Sequence, residues 1–403
     1  MFLAVKPLNK PAYPRHFDLK NSVLVFAFNF YPQRGGIQTY SYELCRNLHK
    51  LGYVPIILAR VTPGDKEFDA KAPFTIIRMK WMNFRYLRII PMTFYFLFAV
   101  LRHRIRLVHC INWIPCGFIA RILKPFLFYK YVITCHGAEI TMARGIIKKL
   151  LLNTTIRNSS WLIAGNNHIR NILQQFNLPN TPVSVIGFGV DTEVFRPDLD
   201  SEFLKVKYST RRKKVLLTVA ELKKRKGIDK VMQAISLLGD RGKDILYIVV
   251  GEGADRERLM EIANNLKLSE RVVFTGTVSD RDLPYHYAIA DIYIMPNREE
   301  ANGDIEGFGI TFIEAQAAEK PVIGGLSGGV PDSVYDRKTG ILVDPLNEKQ
   351  IASSISELLE NSDEALTMAK NGRERVSALF SWPTITSKTE MIYTKVFEKA
   401  KRR

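Results

Sequence analysis

The run EGFGITFIEA at residues 306–315 places two carboxylates eight positions apart around a Gly-Phe-Gly turn. The turn predicts a helix that begins near Ile310, with Glu314 just inside it and Glu306 ahead of its first turn. The N–H groups of Gly309, Ile310 and Thr311 would have no partner within that helix and would attract an anion. Carboxylates that accept sugar hydroxyls, beside amides that accept phosphate, suit a phosphate flanked by two polyols. A sugar nucleotide is such a ligand.

Three further short runs carry residues that could do chemistry. Gly35 and Gly36 lie between a predicted strand and a predicted helix, where glycine lets the backbone approach a phosphate or a sugar; simple turn glycines are the alternative. His136 follows directly on a predicted strand and has Gly137 beside it, although a histidine in apolar surroundings is more often a core residue. Lys226, in the run KKRKG, could neutralise a diphosphate, and a solvated charge run is the alternative.

The stretch from Pro296 to Val334 is similar to the donor-binding signature of the retaining glycosyltransferases of family 4, which have the GT-B fold. GFG lies between the two glutamates, and the helix-forming EAQAAEK and the run GGVPD follow. The resemblance implies that Glu306 contacts the donor sugar and that Glu314 holds the ribose hydroxyls. The members that it resembles include bacterial envelope, exopolysaccharide and phosphatidylinositol mannosyltransferase-like enzymes.

The same resemblance extends to the other three runs. Gly35 and Gly36 match the glycine loop near the family's N-terminus. The run TCHGAEI resembles the family's HG-x-E loop, which implies that His136 reaches the donor sugar and that Glu139 takes the acidic position. Lys226 matches the lysine of the family's phosphate-binding loop. The resemblance therefore implies one donor site built from both halves of the chain.

The family likeness also implies a mechanism. It implies transfer with retention at the anomeric carbon and without a bound metal, the leaving diphosphate being stabilised by Lys226 and by the amides from Phe308 to Thr311. The resemblance implies that His136 and Glu306 are the catalytic residues and that they position the sugar. We name no general base. The predicted donor-binding residues are Gly35, Gly36, Lys226, Arg298, Phe308, Gly309, Ile310, Thr311 and Glu314.

Two features bear on the donor. Glu221 stands where many family members carry an arginine, and a carboxylate repels a diphosphate unless another cation intervenes. Arg225, Lys224, or Arg298 in the PNREEANGD loop could supply that cation. The form EANGDIEGFGI resembles mannosyl-transferring members, which favours GDP-mannose over a UDP-sugar as the donor substrate and implies no cofactor.

The length of 403 residues predicts two domains, because single cores stop growing at about 250–300 residues. Apolar strands alternate with helices in both halves, which predicts parallel sheets covered on both faces. We predict an α/β GT-B architecture of two Rossmann-like, doubly wound domains that face each other across a cleft. The predicted units are an acceptor-binding domain at 1–195, a nucleotide-sugar domain at 196–380 and a helix at 381–403 that crosses back. The predicted strands are 23–30, 54–59, 107–111, 131–134, 215–220, 245–250, 272–274 and 291–295.

Charge is distributed unevenly along the chain. Residues 1–190 hold 25 Lys and Arg against 6 Asp and Glu, whereas residues 191–403 hold 33 against 34. Within the first half, the segment 71–149 has 14 basic residues and Glu139 as its single acid. Such a surface attracts polyanions. We find no zinc finger, RNP-like run or basic heptad, so the charge does not predict nucleic-acid binding.

The segment 89–101 contains thirteen uncharged, mostly apolar residues between Arg85 and Arg88 on one side and three arginines on the other. It is shorter than the roughly 20 residues that span a bilayer. Two alternatives remain open, a buried helix of the first domain and a helix that dips into an anionic membrane interface. The runs 120–132 and 143–157 repeat the pattern of apolar and basic residues. Together they favour a lipid-linked acceptor, with a saccharide acceptor as the alternative.

Cysteine usage and the N-terminus bear on the compartment. The four cysteines form no C-x-x-C pair and lie in apolar surroundings, which predicts buried thiols in a reducing compartment and neither a disulfide framework nor a zinc site. Residues 1–20 lack a long apolar stretch, so no signal peptide is predicted. We expect a cytoplasmic protein that contacts the cytoplasmic face of the membrane peripherally.

Three functional hypotheses follow. The first is a glycosyltransferase of cell-envelope or exopolysaccharide biosynthesis that acts on a lipid-linked or saccharide acceptor. The second is a sugar-phosphate synthase or phosphorylase-like enzyme of the same fold, against which the large basic and apolar first domain argues. The third is a non-enzymatic membrane- or polyanion-binding protein. The presence of Glu306, Glu314, Lys226 and His136 favours the first two over the third.

Overall fold

The computed structural model describes residues 22–401 except 34, 81–87, 142, 144, 177 and 302. The N-terminal lead and Arg85, on which two of the predictions above partly rest, lie outside these residues. Two parallel sheets form the framework, one in each half of the chain. The first sheet contains β1 (Ser22–Phe26), β2 (Val54–Arg60), β3 (Thr75–Met79), β4 (Leu107–Cys110), β5 (Lys130–Cys135), β6 (Trp161–Ala164) and β7 (Val183–Val185). The second contains β8 (Lys214–Val219), β9 (Ile245–Val250), β10 (Val272–Gly276), β11 (Ile292–Met295), β12 (Val322–Gly325) and β13 (Gly340–Val343).

Helices connect the strands and cover both sheets. Those of the first half are α1 (Gly36–Lys50), α2 (Asp65–Lys71), α3 (Ile89–Arg102), α4 (Phe118–Leu123), α5 (Ala138–Thr141), α6 (Ile146–Arg157) and α7 (Asn167–Gln174). Those of the second half are α8 (Glu202–Lys207), α9 (Ile228–Leu237), α10 (Arg256–Asn265), α11 (Leu283–Ile289), α12 (Ile310–Ala317), α13 (Val330–Ser333), α14 (Glu348–Glu360), α15 (Ser362–Leu379) and α16 (Trp382–Lys401).

Both sheets have the strand order of a doubly wound fold. The first runs β3-β2-β1-β4-β5-β6-β7 and the second β10-β9-β8-β11-β12-β13. The order reverses between β1 and β4 in the first sheet and between β8 and β11 in the second. Ligands bind beyond the carboxyl ends of the strands at such a reversal. The loops that follow β1, β8 and β11 contain Gly35, Lys226 and Glu306, so the topology positions the candidate residues.

The central strands of both sheets are buried. Every residue of β1, β9 and β11 is buried, which fits their continuous apolar sequences and the helices on both sheet faces. The prediction of an α/β fold with two doubly wound units is confirmed. β1 is shorter than predicted: it ends at Phe26, and Ala27–Phe30 leave the sheet while Phe30 stays in the core. Five strands were not predicted: β3, β6, β7, β12 and β13.

Helix α16 packs against α1 of the first sheet's unit. Its Tyr393 lies in the same core cluster as Leu44 and Leu48 of α1. The Tyr393 hydroxyl lies 2.6 Å from Nδ1 of the fully buried His109. The backbone N–H of Val190 donates a 2.9 Å hydrogen bond to the Phe380 carbonyl just ahead of α16. The C-terminal helix thus crosses back onto the first half of the chain.

Two predictions about side-chain environment can be compared with the structure. All four cysteines are buried and unpaired, as the prediction of buried thiols requires. Helix α3, which covers residues 89–101, is buried on one face and exposed on the opposite face, and its contact with a membrane stays a prediction. Among the described helices, none is both long and apolar enough to cross a membrane.

Candidate functional site

A cleft of about 700 Å³ lies between the two halves of the chain. Its walls come from the loops after β1, β5, β8 and β11, from the first turns of α1 and α12, and from the linker after Phe188. The predicted site residues that line it are Gly35, Gly36, His136, Lys226, Glu306, Phe308, Gly309, Ile310, Thr311 and Glu314. The structure thus brings all but one of the predicted residues together.

The start of α12 forms one wall of the cleft. The helix begins at Ile310, as predicted, after Gly309 in the left-handed conformation (φ 77°). A side chain at Gly309 would lie 2.5 Å from the Phe312 ring as well as strain the backbone, so the turn requires glycine. The hydroxyl of Tyr293 donates a 2.6 Å hydrogen bond to Oγ1 of Thr311. The amides of Ile310 and Thr311 begin the helix and lack partners within it, which suits an anion.

Glu306 lies in an ion cluster at the centre of the cleft. Its Oε2 accepts hydrogen bonds from Nη1 of Arg225 at 2.6 Å and from Nζ of Lys226 at 2.5 Å. Arg225 also approaches Asp304, with 3.2 Å between Nε and Oδ2. Burial alone would raise the pKa of Glu306, but the two cations outweigh burial and lower this pKa to about 2. Glu306 is therefore ionised at neutral pH.

Glu314 has the opposite electrostatic environment. Burial raises its pKa to about 7; the hydrogen bond from Tyr287 opposes that increase, and the charge of Asp280 adds to it. The Tyr287 hydroxyl donates to Oε2 of Glu314 at 2.6 Å. A carboxyl group with this pKa titrates near neutral pH. The two glutamates of one motif thus differ in pKa, because two cations outweigh the effect of burial at Glu306, whereas burial dominates at Glu314.

His136 borders the cleft as a neutral imidazole. It is buried between the rings of Tyr40 and Phe188, with ring centroids 5.4 and 5.3 Å away. Burial lowers its pKa to about 4, and the backbone of Ile111 partly opposes this. Neither ring nitrogen makes a hydrogen bond of ordinary geometry to a described residue. His136 lines the cleft, and both of its ring nitrogens are themselves buried.

Glu139 shapes the loop that presents His136. Its Oε1 accepts a 2.6 Å hydrogen bond from the backbone N–H of His136. The indole N–H of Trp113 donates to the Glu139 carbonyl at 2.8 Å. Burial raises the pKa of Glu139, and the amides that it binds oppose that increase. Glu139 therefore fixes the turn at His136 through backbone hydrogen bonds.

The glycine loop after β1 meets α12 across the cleft. A side-chain carbon at Gly36 would lie 3.0 Å from Cδ1 of Ile310, so the first turns of the two helices are close neighbours. Gly35 has φ 152° and precedes α1. Glycine at Gly36 therefore lets the two helix N-termini approach, and both line the cleft.

Arg298 lies outside the cleft lining, whereas Glu221 is part of it. Arg298 does not line the cleft, because its guanidinium pairs with both carboxylate oxygens of Asp229 at 3.0 Å. Glu221 lies at the cleft, but its side chain is 59% exposed and forms a 2.9 Å ion pair with Lys223. The carboxylate in the family's arginine position is thus neutralised locally.

Hydrogen bonds also join the two halves of the chain, and sequence analysis did not anticipate them. The backbone N–H and the side-chain amide of Asn167 donate to the two carboxylate oxygens of Asp332 at 2.6 and 2.5 Å. The Asn166 amide donates to the Gly307 carbonyl, next to Glu306. Asp332 belongs to the GGVPD run, which follows the two glutamates in the sequence. That position was the available sequence signal that Asp332 lies near the site. Among the described residues, no group of three or more His, Cys, Asp or Glu could hold a metal ion.

Family models match both halves of the chain. Residues 34–194 match the model described as Glycosyltransferase Family 4, and residues 200–375 match the model described as Glycosyl transferases group 1. A GDP-mannose-dependent alpha-(1-6)-phosphatidylinositol monomannoside mannosyltransferase of Mycobacterium tuberculosis is 29% identical over 385 residues. The match covers 91% of this chain and 96% of that relative.

Two solved structures share the architecture. A glycosyltransferase from Rickettsia africae has a TM-score of 0.81 at 23% identity, covering 94% of this chain and 99% of its own. Sucrose-phosphate synthase from Thermosynechococcus elongatus has a TM-score of 0.81 at 22% identity, covering 94% of this chain and 100% of its own. At such identities these likenesses show the GT-B fold.

Proposed function

The chain belongs to family 4 of the glycosyltransferases, with the GT-B fold, and we propose that it transfers a sugar with retention and without a bound metal. The acceptor is a lipid-linked molecule or a saccharide of cell-envelope or exopolysaccharide biosynthesis. One observation carries this proposal: the two motif glutamates and the start of α12 border the same cleft as His136 and Lys226. Family membership makes the chain an enzyme, which removes the non-enzymatic alternative.

The donor lies along the cleft, with its nucleoside near Glu314 and its sugar near Glu306 and His136. Glu314 accepts hydrogen bonds from the ribose hydroxyls, and the amides at the start of α12 meet the diphosphate. Lys226 stabilises the negative charge that develops on the leaving diphosphate. Glu306 and the neutral His136 hold the sugar hydroxyls and fix the orientation of the anomeric carbon. This assignment follows the charge pattern, because the start of α12 lies between the two glutamates in sequence and Lys226 contacts Glu306.

GDP-mannose is the proposed donor. The EANGDIEGFGI form supports it, and so does the mycobacterial relative, whose name gives GDP-mannose as its donor. A UDP-sugar is the alternative. Titration calorimetry of the full chain with GDP, UDP and ADP, with and without EDTA, tests the choice. We expect selective, EDTA-insensitive binding of GDP, lost in Glu314→Ala and retained in the exposed control Glu364→Ala. A folded wild-type chain that binds no nucleoside diphosphate would refute the proposed function.

The stereochemistry and the acceptor need a turnover experiment. The chain is incubated with GDP-mannose and either a phosphatidylinositol-type lipid, a soluble saccharide or a soluble sugar phosphate, and the product is analysed by NMR. We expect an α-linked product, because GDP-mannose itself has the α configuration and the transfer retains it. A β-linked product would contradict retention. Turnover with the sugar phosphate alone would favour the synthase alternative, which shares this fold.

An apolar patch on the first half supports a lipid-linked acceptor. Ile90, Phe94, Phe98 and Leu101 recur at spacings of four, four and three residues on one face of α3, and each is more than half exposed. Helix α3 packs against α4, and α4 packs against α6. The other members of the patch are Ile122, Phe126, Phe128, Ile146, Ile147 and Leu150.

Basic residues surround this apolar patch. Arg102, Arg104 and Arg106 are exposed at the end of α3, and Lys149 is exposed in α6. Exposed apolar side chains beside basic ones are typical of proteins that rest on anionic lipid. Helix α6 begins ten residues after His136, on the side of the sheet where the strands end. We therefore place the protein peripherally on the cytoplasmic face of a membrane, where a lipid-linked acceptor can reach the cleft.

Vesicle sedimentation tests the membrane contact. We expect the chain to bind vesicles that contain phosphatidylglycerol and to bind pure phosphatidylcholine weakly. The double variant Phe126→Ser/Phe128→Ser should lose most of the binding, because both side chains are at least three-quarters exposed and have little packing to lose. Leu346→Ser, also exposed but in the second half, serves as the control. Equal binding of the double variant and the wild type would contradict membrane contact through the apolar patch.

A further inference from the structure

Arg225 directs its guanidinium into the cluster that contains Lys226. Its Nη1 lies 2.6 Å from Oε2 of Glu306, the same oxygen that Lys226 contacts. Its Nε lies 3.2 Å from Oδ2 of Asp304. The Arg225 side chain is only 15% exposed, and it lines the cleft. Two cations from adjacent positions therefore meet at one carboxylate oxygen.

The backbone around Arg225 is held against the loop that follows β11. The Arg225 carbonyl accepts a 2.8 Å hydrogen bond from the N–H of Arg298. Gly227 has φ 71°, and a side-chain carbon there would lie 2.1 Å from the Pro296 carbonyl oxygen. The Arg298 guanidinium is in turn fixed by Asp229. These contacts leave Arg298 away from the cleft while they fix the position from which Arg225 enters it.

The side-chain charges in this cluster balance one another. Arg225 and Lys226 offset Glu306 and Asp304, and Lys223 offsets Glu221 nearby. A diphosphate adds negative charge beside the cluster and needs cationic hydrogen-bond donors. A guanidinium has five N–H donors, more than its two carboxylate contacts use, and it binds phosphate oxygens in a forked geometry.

We propose that Arg225 is a second cation that contacts the donor diphosphate, beside Lys226. This inference rests on the proposed function. It assigns to Arg225 the cationic role that Glu221 cannot fill, and it assigns to Arg298 a supporting role behind the loop. Binding of the donor moves part of the guanidinium's hydrogen bonding from Glu306 to phosphate oxygens. Glu306 is then freer to accept a sugar hydroxyl.

Titration calorimetry with GDP, GMP, UDP and UMP tests the proposal. Arg225→Ala should weaken binding of the preferred diphosphate roughly 10- to 100-fold, the usual cost of a lost charge-assisted hydrogen bond, and should weaken the monophosphate much less. Lys224→Ala removes an exposed cation from the same loop and should leave both affinities unchanged. Because Glu221 also lines the cleft, adding Glu221→Arg to Arg225→Ala should restore part of the diphosphate affinity.

Two outcomes would count against Arg225 itself. Unchanged diphosphate affinity in Arg225→Ala would refute the contact. Equal weakening of the monophosphate and the diphosphate would show that Arg225 acts only by holding Glu306. Should Arg225→Ala unfold, Arg225→Gln keeps most of the side-chain volume and must show the same diphosphate-selective loss. A wild-type chain that binds none of the four nucleotides would instead refute the proposed function, and this inference with it.

Discussion

The hydroxyl of Tyr287 donates a 2.6 Å hydrogen bond to Oε2 of Glu314, from a phenol that is fully buried beneath the cleft. Burial raises the pKa of Glu314 to about 7, and this hydrogen bond opposes that increase because it stabilises the carboxylate. In turn, burial and the charge of Glu314 raise the pKa of Tyr287 well above its ordinary value. The phenol therefore stays protonated and keeps donating across the physiological pH range.

Donor affinity should depend on pH near neutrality. If Glu314 binds the ribose hydroxyls as a carboxylate, GDP affinity should rise as the pH increases through about 7, the pKa of Glu314. Tyr287→Phe removes the hydrogen bond that lowers the pKa of Glu314, so the midpoint of this rise in affinity should move to higher pH. Calorimetric titration at about one pH unit below and above the midpoint measures it.

Tyr285→Phe is the matched control for this titration. It removes a phenol hydroxyl from the same helix, and its ring contacts Phe203 on the other side of that helix from Glu314. Its midpoint should equal that of the wild type. A GDP affinity that is flat across the same pH range would mean that Glu314 does not meet the donor as a carboxylate.

Glu314 should also make the folded chain less stable as the pH rises. Its pKa is about 7 when folded and near 4.5 when unfolded, so the folded state holds more protons between these values. The free energy of unfolding should therefore fall over this window, by about 3 kcal/mol from this group. Glu314→Gln should lack this fall. Urea denaturation of both proteins near pH 5 and pH 8, with Glu364→Gln as an exposed control, measures the difference; parallel pH profiles would contradict it.

The local features of the site could be predicted from the sequence. The Gly-Phe-Gly turn and the apolar run after it predicted a helix start at Ile310, and the helix begins there. Glycines mark the close approaches at Gly36 and Gly309: Gly309 has a positive φ and little room for a side chain, and a side-chain carbon at Gly36 would lie 3.0 Å from Ile310. The two doubly wound sheets followed from strands that alternate with helices. These features depend on short stretches of chain, where residue type decides the backbone.

The pairing of distant side chains could not be predicted. Arg298 was assigned to the donor site as a cation that could offset Glu221, but Asp229 lies 69 residues away in sequence and holds it outside the cleft lining. Arg225 reaches Glu306 across 81 residues of sequence. Which of several nearby cations enters a cleft depends on packing between the loops, and no local pattern encodes it. The contact between Asn167 and Asp332 has the same origin.

Asp332 should help to hold the two halves of the chain together. Asp332→Ala removes both hydrogen bonds from Asn167, and the neighbouring Asn166 bond to Gly307 then loses support. We expect faster hydrogen exchange in peptides that cover residues 305–312 and a GDP affinity lower by about fivefold, corresponding to about 1 kcal/mol. Asp344→Ala removes a carboxylate that bonds within its own loop and should change neither quantity. Unchanged exchange in Asp332→Ala would refute the contact's role.

The bond between His109 and Tyr393 should anchor the C-terminal helix. Both ring nitrogens of His109 have a hydroxyl partner at 2.6 Å, Tyr393 on one side and Thr134 on the other. Burial lowers the pKa of His109 to about 3, so the ring is neutral and each nitrogen needs its partner. Tyr393→Phe leaves one nitrogen buried and unpaired, at a cost of about 1–3 kcal/mol in the free energy of unfolding.

Urea denaturation and hydrogen exchange of α16 measure this cost. Tyr53→Phe is the control, because its hydroxyl makes a long 3.5 Å bond to Glu390 in a partly exposed setting and should change stability by less than about 0.5 kcal/mol. Exchange should accelerate along α16 in Tyr393→Phe, since this hydrogen bond joins the helix to β4 of the first sheet. Equal stabilities of the two variants would mean that apolar packing of Ile385, Ile392 and Val396 alone holds the helix in place.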